Sequence, residues 1–336
     1  MTRRTFAALA TFATATLLAA SAPQDAKPVD MKSLSGTVKV DGSSTVYPMA
    51  EAVHEEFHNV APNVKVMVST SGTGGGFKRF CAGEIDISDA SRPIKKSEAD
   101  QAVTNKVEYV ELPIAYDGLT LCVNRANTWC SQLTVEQIKK IFSATNTAKT
   151  WKDVDPSWPA EVIKIYSPGT DSGTFDYFKE VVVGKDGNVR ADMSVSEDDN
   201  QLVRGIEGDK NAIGFFGYAY YAENKSKLND VKVVNPKSNK PVEPTPTTIE
   251  DGSYAPFSRP LFIYVSKASL AKPQVSAFAE YFLKQAPAMA KEVGYVPLPK
   301  AIYERAMANL KAQKTGSQFM DDKGHAKEGA LADLYR

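Results

Sequence analysis

The chain has 336 residues, 43% hydrophobic and 24% charged, with 40 Lys and Arg balanced by 40 Asp and Glu. That length allows one large core or two domains, and the composition is that of an ordinary globular protein. The net charge of zero provides no general attraction for nucleic acid or an anionic membrane surface, so any bound anion must be held by local donors.

The N-terminus reads as a secretory signal. Arg3 and Arg4 precede an uncharged, alanine-rich run over 6–20, and small residues follow at 19–22. We assign 1–22 to the signal peptide and 23–35 to a polar leader, with Pro23 disfavouring cleavage directly after Ala22. No cysteine near this zone supports a lipid anchor, and no later apolar run is long enough to span a bilayer. The mature protein is therefore expected to be periplasmic or otherwise extracytoplasmic. Export permits disulfides. Of the three cysteines, Cys122 lies in an apolar, strand-like run and reads as a buried hydrophobe, and Cys81 with Cys130 is the candidate pairing.

A short strand over 37–40 leads into Asp41-Gly42-Ser43-Ser44-Thr45-Val46-Tyr47-Pro48. A helix follows over 48–60 with Met49, Val53, Phe57 and Val60 on one face, and Pro48 suits its first turn. A strand over 64–68 runs into Ser69-Thr70-Ser71-Gly72-Thr73-Gly74-Gly75-Gly76 and a short helix over 77–82. A third strand, 85–88, ends in Asp89-Ala90-Ser91-Arg92-Pro93. Alternating strands and helices imply a mostly parallel sheet, whose ligands sit at the carboxyl ends of the strands.

Strands over 107–114 and 119–124 flank Ala115-Tyr116-Asp117-Gly118, the candidate hinge into a second domain. Thr134 caps a helix bearing Val135, Ile138, Ile141 and Phe142. An apolar run over 162–166 then enters Ser167-Pro168-Gly169-Thr170-Asp171-Ser172-Gly173-Thr174, followed by a helical pattern at Phe175, Phe178, Val181 and Val182. Strand, small-residue turn and helix start together form a ready anion site, because the turn exposes N–H groups and the helix N-terminus adds partial positive charge. An aromatic strand and turn follow over 209–221, a Pro/Thr-rich loop over 241–248, and a strand over 260–266 that would make the second crossing between domains. Helical patterns cover 275–284 and 302–310, residues from Lys314 are polar and expected to fray, and we find no internal repeat.

Several motifs fail on inspection. Phe77 breaks both the phosphate-loop and the dinucleotide fingerprints around the glycine-rich turn. His54-Glu55-Glu56-Phe57-His58 matches the zinc-protease pattern H-E-x-x-H, yet the only other histidine is His325 in the polar tail, and both helix histidines neighbour glutamates on a solvent-like face. No Ser-His-Asp set assembles, and three histidines in all supply general-base chemistry poorly. Binding is a better reading than catalysis. Arg92, at a strand end beside Ser91, is the notable cation, since a guanidinium fork matches oxyanion geometry.

Gly42-Ser43-Ser44-Thr45-Val46-Tyr47-Pro48, Ser71-Gly72-Thr73-Gly74-Gly75-Gly76-Phe77, Ser88-Asp89-Ala90-Ser91-Arg92-Pro93 and Asp171-Ser172-Gly173-Thr174 resemble, in order, the phosphate-binding segments of substrate-binding proteins of phosphate ABC transporters. Tyr116-Asp117-Gly118-Leu119 and the aromatic stretch 211–220 are similar to that family too. The resemblance implies an α/β, two-domain periplasmic-binding-protein fold of type II-like design, with mixed, mostly parallel sheets and a ligand cleft between lobes joined by a two-crossing hinge. The first domain would comprise 36–117 and 255–336, the second 118–254. Phosphate would be held dehydrated between the lobes and delivered to a membrane-embedded ABC permease, with no cofactor, no metal, no nucleic acid and no reaction.

Carried over by position, Ser44, Thr45 and the N–H of Val46 would donate from the first turn, Thr73 from the second, and Ser91 with Arg92 from the third. Ser172, Gly173 and Thr174 would close from the second domain. Some family members have Asp where this chain has Arg92, and Arg just before the second-domain turn, where this chain has Pro168. We therefore expect Arg92 as the cation and Asp171 as the acceptor of the phosphate proton, with Asp89 as the alternative. The competing readings are another tetrahedral oxyanion (sulfate, molybdate, tungstate or phosphonate), a secreted zinc metallopeptidase using His54, Glu55 and His58, and a phosphate scavenger without a permease.

Overall fold

The first half of the chain alternates strand and helix because its apolar residues alternate period two with period three to four. Strand β1 (Gly36–Gly42) buries Val38 and Val40. Helix α1 (Tyr47–Val60) has Pro in its first turn and buries Met49, Ala50, Val53 and Phe57. Strand β2 (Val64–Thr70), helix α2 (Gly72–Cys81), strand β3 (Ile87–Ala90) and helix α3 (Lys96–Thr104) complete this unit, with β2 and β3 both parallel to β1. Strand β4 (Tyr109–Asn124) is buried along its entire length.

The computed structural model describes residues 30–336 except Asn146, Asp171, Lys185, Glu197, Asp322, Ala326 and Glu328. The expected signal peptide over 1–22 and most of the leader lie outside the described residues. Within the described leader, Met31–Ser33 form a short 3-10 turn and Leu34 is buried.

After β4 come β5 (Gln132–Leu133), α4 (Val135–Phe142), α5 (Trp151–Val154), β6 (Lys164–Ser167), α6 (Gly173–Val183), β7 (Ser194–Val195) and α7 (Asp199–Gly208). Then follow β8 (Ala212–Gly217), α8 (Tyr218–Glu223), β9 (Leu228–Asp230), β10 (Lys232–Val234), β11 (Pro241–Val242) and α9 (Pro246–Glu250). The chain closes with β12 (Ser258–Ser266), α10 (Pro273–Glu292), α11 (Lys300–Lys311) and α12 (Leu331–Leu334).

The main sheet runs β2-β1-β3-β12-β4-β8-β6-β7, with β9 also paired to β4, and β11-β10-β5 form a small separate sheet. Strand β4 joins the two halves. Its first part pairs antiparallel with β12, from Tyr109 opposite Ser266 to Gly118 opposite Ser258, and its second part, from Leu119 to Val123, pairs with β8. This gives the two-domain architecture of periplasmic binding proteins, with mixed rather than purely parallel pairing. One half is packed by α1 and α10, where Phe57 meets Phe278 edge-on. The other is packed by a stack of Phe178 on Phe215, at 3.8 Å, and on Phe257.

Four expectations are corrected. The segment 115–118 does not interrupt two strands but is the middle of one strand, β4, where β12 supplies hydrogen-bond partners on one side. Helix α2 starts at Gly72 rather than at Phe77, so the glycine-rich turn is itself helical. The three cysteines are free and buried, so Cys81 and Cys130 are not paired. Cys81 donates to the Glu98 carbonyl while Cys130 lies beside Asn127, and burial pushes the Cys81 thiol up to about 11. The described residues of the tail from Lys314 are held rather than frayed. Phe319, Leu331 and Tyr335 are buried, and buried Glu111 accepts from Ser317 Oγ, from the Gln318 N–H and from Tyr264 OH.

Candidate functional site

The carboxyl ends of β1, β2 and β3 point to one place, as parallel pairing requires. There they border a cavity of about 700 Å³. Its first wall carries Ser43, Ser44 and Thr45 after β1, residues 71–75 at the start of α2, and Ser91 with Arg92 after β3. The facing wall is α6, with Asp176, Tyr177, Lys179 and Glu180, and Ser258 and Arg259 at the start of β12 complete it.

Close backbone approach shapes these turns. A Cβ on Gly42 would lie 2.1 Å from the Asp89 carbonyl oxygen, and one on Gly76 would lie 2.6 Å from Gly42 Cα. Buried Asp41 fixes the second turn, its Oδ2 accepting from Arg79 Nη1 at 2.6 Å and from Ser71 Oγ at 2.9 Å. The hydroxyls form pairs. Thr73 Oγ1 lies 3.1 Å from Ser91 Oγ and accepts from the Ser91 N–H, and Ser44 Oγ donates to Asp176 Oδ2 at 2.9 Å. Thr45 Oγ1 donates to the Gly173 carbonyl at 3.3 Å. Hydroxyl protons rotate, so each of these groups can be turned towards an entering anion.

Of the ten residues expected from sequence, Ser44, Thr45, Thr73, Ser91 and Arg92 line the cavity. Val46 is buried and its N–H donates to the Ser43 carbonyl. Ser172 caps α6 by accepting from the Thr174 N–H, Gly173 packs on Thr45 of the first turn, and none of these three residues lines the cavity. Asp171 lies outside the described residues. Arg92 is held by Glu98 through two charge-assisted bonds, 2.7 Å from Nη2 and 2.9 Å from Nη1, and lies over the Phe77 ring. Asp89 does not line the cavity. Neither of its oxygens has a hydrogen-bond partner among the described residues, and burial pushes its carboxyl up to about 8, so it keeps its own proton at neutral pH.

Sequence reasoning missed Arg259. Its side chain is 16% exposed, Nη2 donates to Thr45 Oγ1 at 3.0 Å, and its guanidinium lies 3.6 Å from the Tyr177 ring centroid. Nε and Nη2 each lie 3.4 Å from Oδ2 of fully buried Asp117 on β4. Burial raises the Asp117 carboxyl despite the opposing charge of Arg259. A sequence signal was present: Ser91-Arg92-Pro93 recurs as Ser258-Arg259-Pro260, and all six residues line the same cavity.

His54 and His58 lie far from this chemistry in kind. They border a separate surface recess of about 310 Å³ with Asn63 and Lys65, and no group of three or more His, Cys, Asp or Glu among the described residues is placed to hold a metal ion.

A PBP superfamily domain model matches residues 22–286. The chain is 47% identical over 284 residues to Protein SphX of Synechococcus elongatus, which spans 84% of this chain and 83% of that one. It is 44% identical over 276 residues to the phosphate-binding protein PstS of Staphylococcus saprophyticus, across 82% of this chain and 84% of that one. The crystal structure of "a possible phosphate binding protein" from Planctomyces limnophilus superposes with a TM-score of 0.81 at 47% identity, over 84% of this chain and all of that one.

Proposed function

This chain belongs to the PBP superfamily and, within it, to the phosphate-binding proteins of ABC transporters, and from that premise we propose how it works. It captures inorganic phosphate as a substrate-binding protein for uptake. One observation carries the reading: three donor turns at the ends of parallel strands converge with a helix on a single polar cavity. Fixed dipoles and hydroxyls there replace the water of a small oxyanion.

In our reading Ser44, Thr45, Thr73 and Ser91 turn their hydroxyls onto the anion, and α6 brings Ser172, Gly173 and Thr174 against it as the lobes close. The lobes are 36–117 with 255–336, and 118–254. The change of pairing partner along β4 at Gly118 and Leu119 supports hinges there and just before β12. Arg92 forms a wall, and Asp171 or Asp176 accepts the phosphate proton. Sulfate, fully ionised, has no proton to offer and is repelled. An ABC permease receives the loaded protein in the extracytoplasmic space after cleavage of the signal peptide, and no chemical conversion takes place. No helix among the described residues is long and apolar enough to cross a membrane.

Calorimetric titration of the phosphate-stripped mature protein tests the reading. We expect one-to-one binding of phosphate and silence with sulfate. Binding of sulfate or molybdate in its place would keep the fold and change the ligand, and failure of folded protein to bind any oxyanion would refute the site.

A further inference from the structure

Two Ser-Arg-Pro segments border the cavity, and the difference between their arginines is informative. We propose that Arg259, rather than Arg92, supplies the cation that holds the anion, with Asp117 and Tyr177 as its positioning residues. This rests on the phosphate-binding reading and names the residue on which its affinity depends.

A guanidinium has five N–H groups. On Arg92, Nη1 donates to Glu98 Oε2 at 2.9 Å and to the Pro93 carbonyl at 3.1 Å, and Nη2 donates to Glu98 Oε1 at 2.7 Å. Glu98 is itself held, because its Oε2 also accepts from the Lys95 N–H at the start of α3. A bidentate carboxylate cancels the charge of Arg92 and occupies the fork that an oxyanion would need.

Arg259 is arranged differently. Its carboxylate neighbour, Asp117, stands at 3.4 Å from Nε and Nη2, a loose contact on one edge of the fork. Nη2 also reaches Thr45 Oγ1 in the first anion turn. Nη1 has no hydrogen-bond partner among the described residues and lies 4.0 Å from Glu180 Oε2. The Tyr177 ring fixes the plane of the guanidinium, and Tyr177 OH donates to the Pro256 carbonyl, which fixes the ring. A pre-oriented, poorly hydrated cation with unused donors on a cavity wall binds an oxyanion without first breaking a strong pair.

The position matters as much as the charge. Arg259 lies on β12, touches Thr45 from the first lobe and Tyr177 from α6, and rests against Asp117 on the strand that joins the lobes. An anion bound at Nη1 is thereby bound at the point where both walls and the hinge strand meet.

Phosphate affinities of stripped wild type, Arg259→Lys, Arg259→Gln and Arg92→Gln, with thermal midpoints in phosphate-free buffer, decide the matter. Wild-type binding tests the function itself, so its absence would overturn that reading and not this one alone. Given wild-type binding, Arg259→Lys keeps a charge beside Asp117 but loses the fork and the ring stacking. We expect Arg259→Gln to weaken phosphate by about 30-fold or more, the scale for truncating one partner of a desolvated charge pair, and Arg259→Lys by about 10-fold or more, because the ammonium keeps the charge without the fork, while Arg92→Gln changes affinity by less than about 5-fold. If Arg259→Gln fails to fold because Asp117 is left buried and alone, Arg259→Lys still decides. Affinity of Arg259→Lys within about 3-fold of wild type, or a larger loss in Arg92→Gln, would overturn the assignment.

Discussion

Gly173, the first residue of α6, lies so close to Thr45 that a Cβ built on it would stand 2.4 Å from Thr45 Cα and 2.8 Å from Thr45 N. No rotamer change relieves a clash with backbone, so α6 can pack this closely on the Ser44–Thr45 turn only with glycine here. Gly173→Ala should hold the lobes apart and weaken phosphate by about 10-fold or more, with far-ultraviolet circular dichroism unchanged. Titration calorimetry reads the affinity, and an unchanged value would mean that the bound state does not use this contact.

Asp176 puts a carboxylate on the cavity wall and accepts a hydrogen bond from the Ser44 hydroxyl at 2.9 Å. A carboxylate tolerates an anion that brings a proton and repels one that does not. Asp176→Asn should narrow the preference for phosphate over sulfate by about 10-fold or more, chiefly by letting sulfate bind. The same competition titration on Asp171→Asn separates the two candidates: whichever variant leaves the ratio untouched is not the selector.

Burial raises the Asp89 carboxyl from its ordinary 3.8 to about 8, and that of Glu111 from 4.5 to about 7. Between the ordinary and raised values the folded protein keeps protons that the unfolded chain has released, so stability falls as pH rises. The contribution is complete below the ordinary values and is lost as pH climbs through the raised ones. Thermal midpoints should therefore decline from about pH 5 to about pH 8, and Asp89→Asn, which cannot ionise, should flatten that decline. A wild-type midpoint that rises over this range would contradict the assignment.

Phe319 is 3% exposed and meets Phe262 edge-on at 5.1 Å and Tyr335 at 6.3 Å. Phe319→Ala should cost about 3–5 kcal/mol of unfolding free energy by opening a cavity under the tail. Denaturant unfolding measures this, and a loss below about 1 kcal/mol would mean that the tail is not part of the core.

Much of the site could be read in the sequence because its turns are local. Ser44, Thr73 and Ser91 follow strands whose register is set by nearest-neighbour parallel pairing, so their convergence follows from the fold class. Arg259 was hidden because its meaning is non-local. On its own strand it reads as one polar residue beside an apolar run, and only pairing with β4, 142 positions away along the chain, brings it to Asp117. Asp117-Gly118 reads as a break between two strands because those residue types are disfavoured inside strands. In the structure Asp117 lies 3.4 Å from Arg259 Nε, and Gly118 leaves room for the Ile249 side chain, whose Cδ1 would lie 2.5 Å from a Cβ there. The tail misled for a compositional reason: its few apolar residues are scattered among charges, and only their contacts with β12 and Glu111 make it structural.

Tyr335, next to last in the chain, is fully buried and donates its hydroxyl to the Glu111 carbonyl at 3.0 Å, and the Arg336 N–H donates to Gln318 Oε1. Residues 331–336 are thus a plug seated in its socket, and a fluorophore or affinity handle grafted onto them would have to pull against it. An engineer wishing to turn this scaffold into an optical phosphate sensor would leave that segment alone. The three native thiols are buried and stay protonated, so they would ignore a maleimide dye. A single new cysteine at Val181, on the edge of the cavity, would place the dye on the α6 wall beside the Ser44 turn.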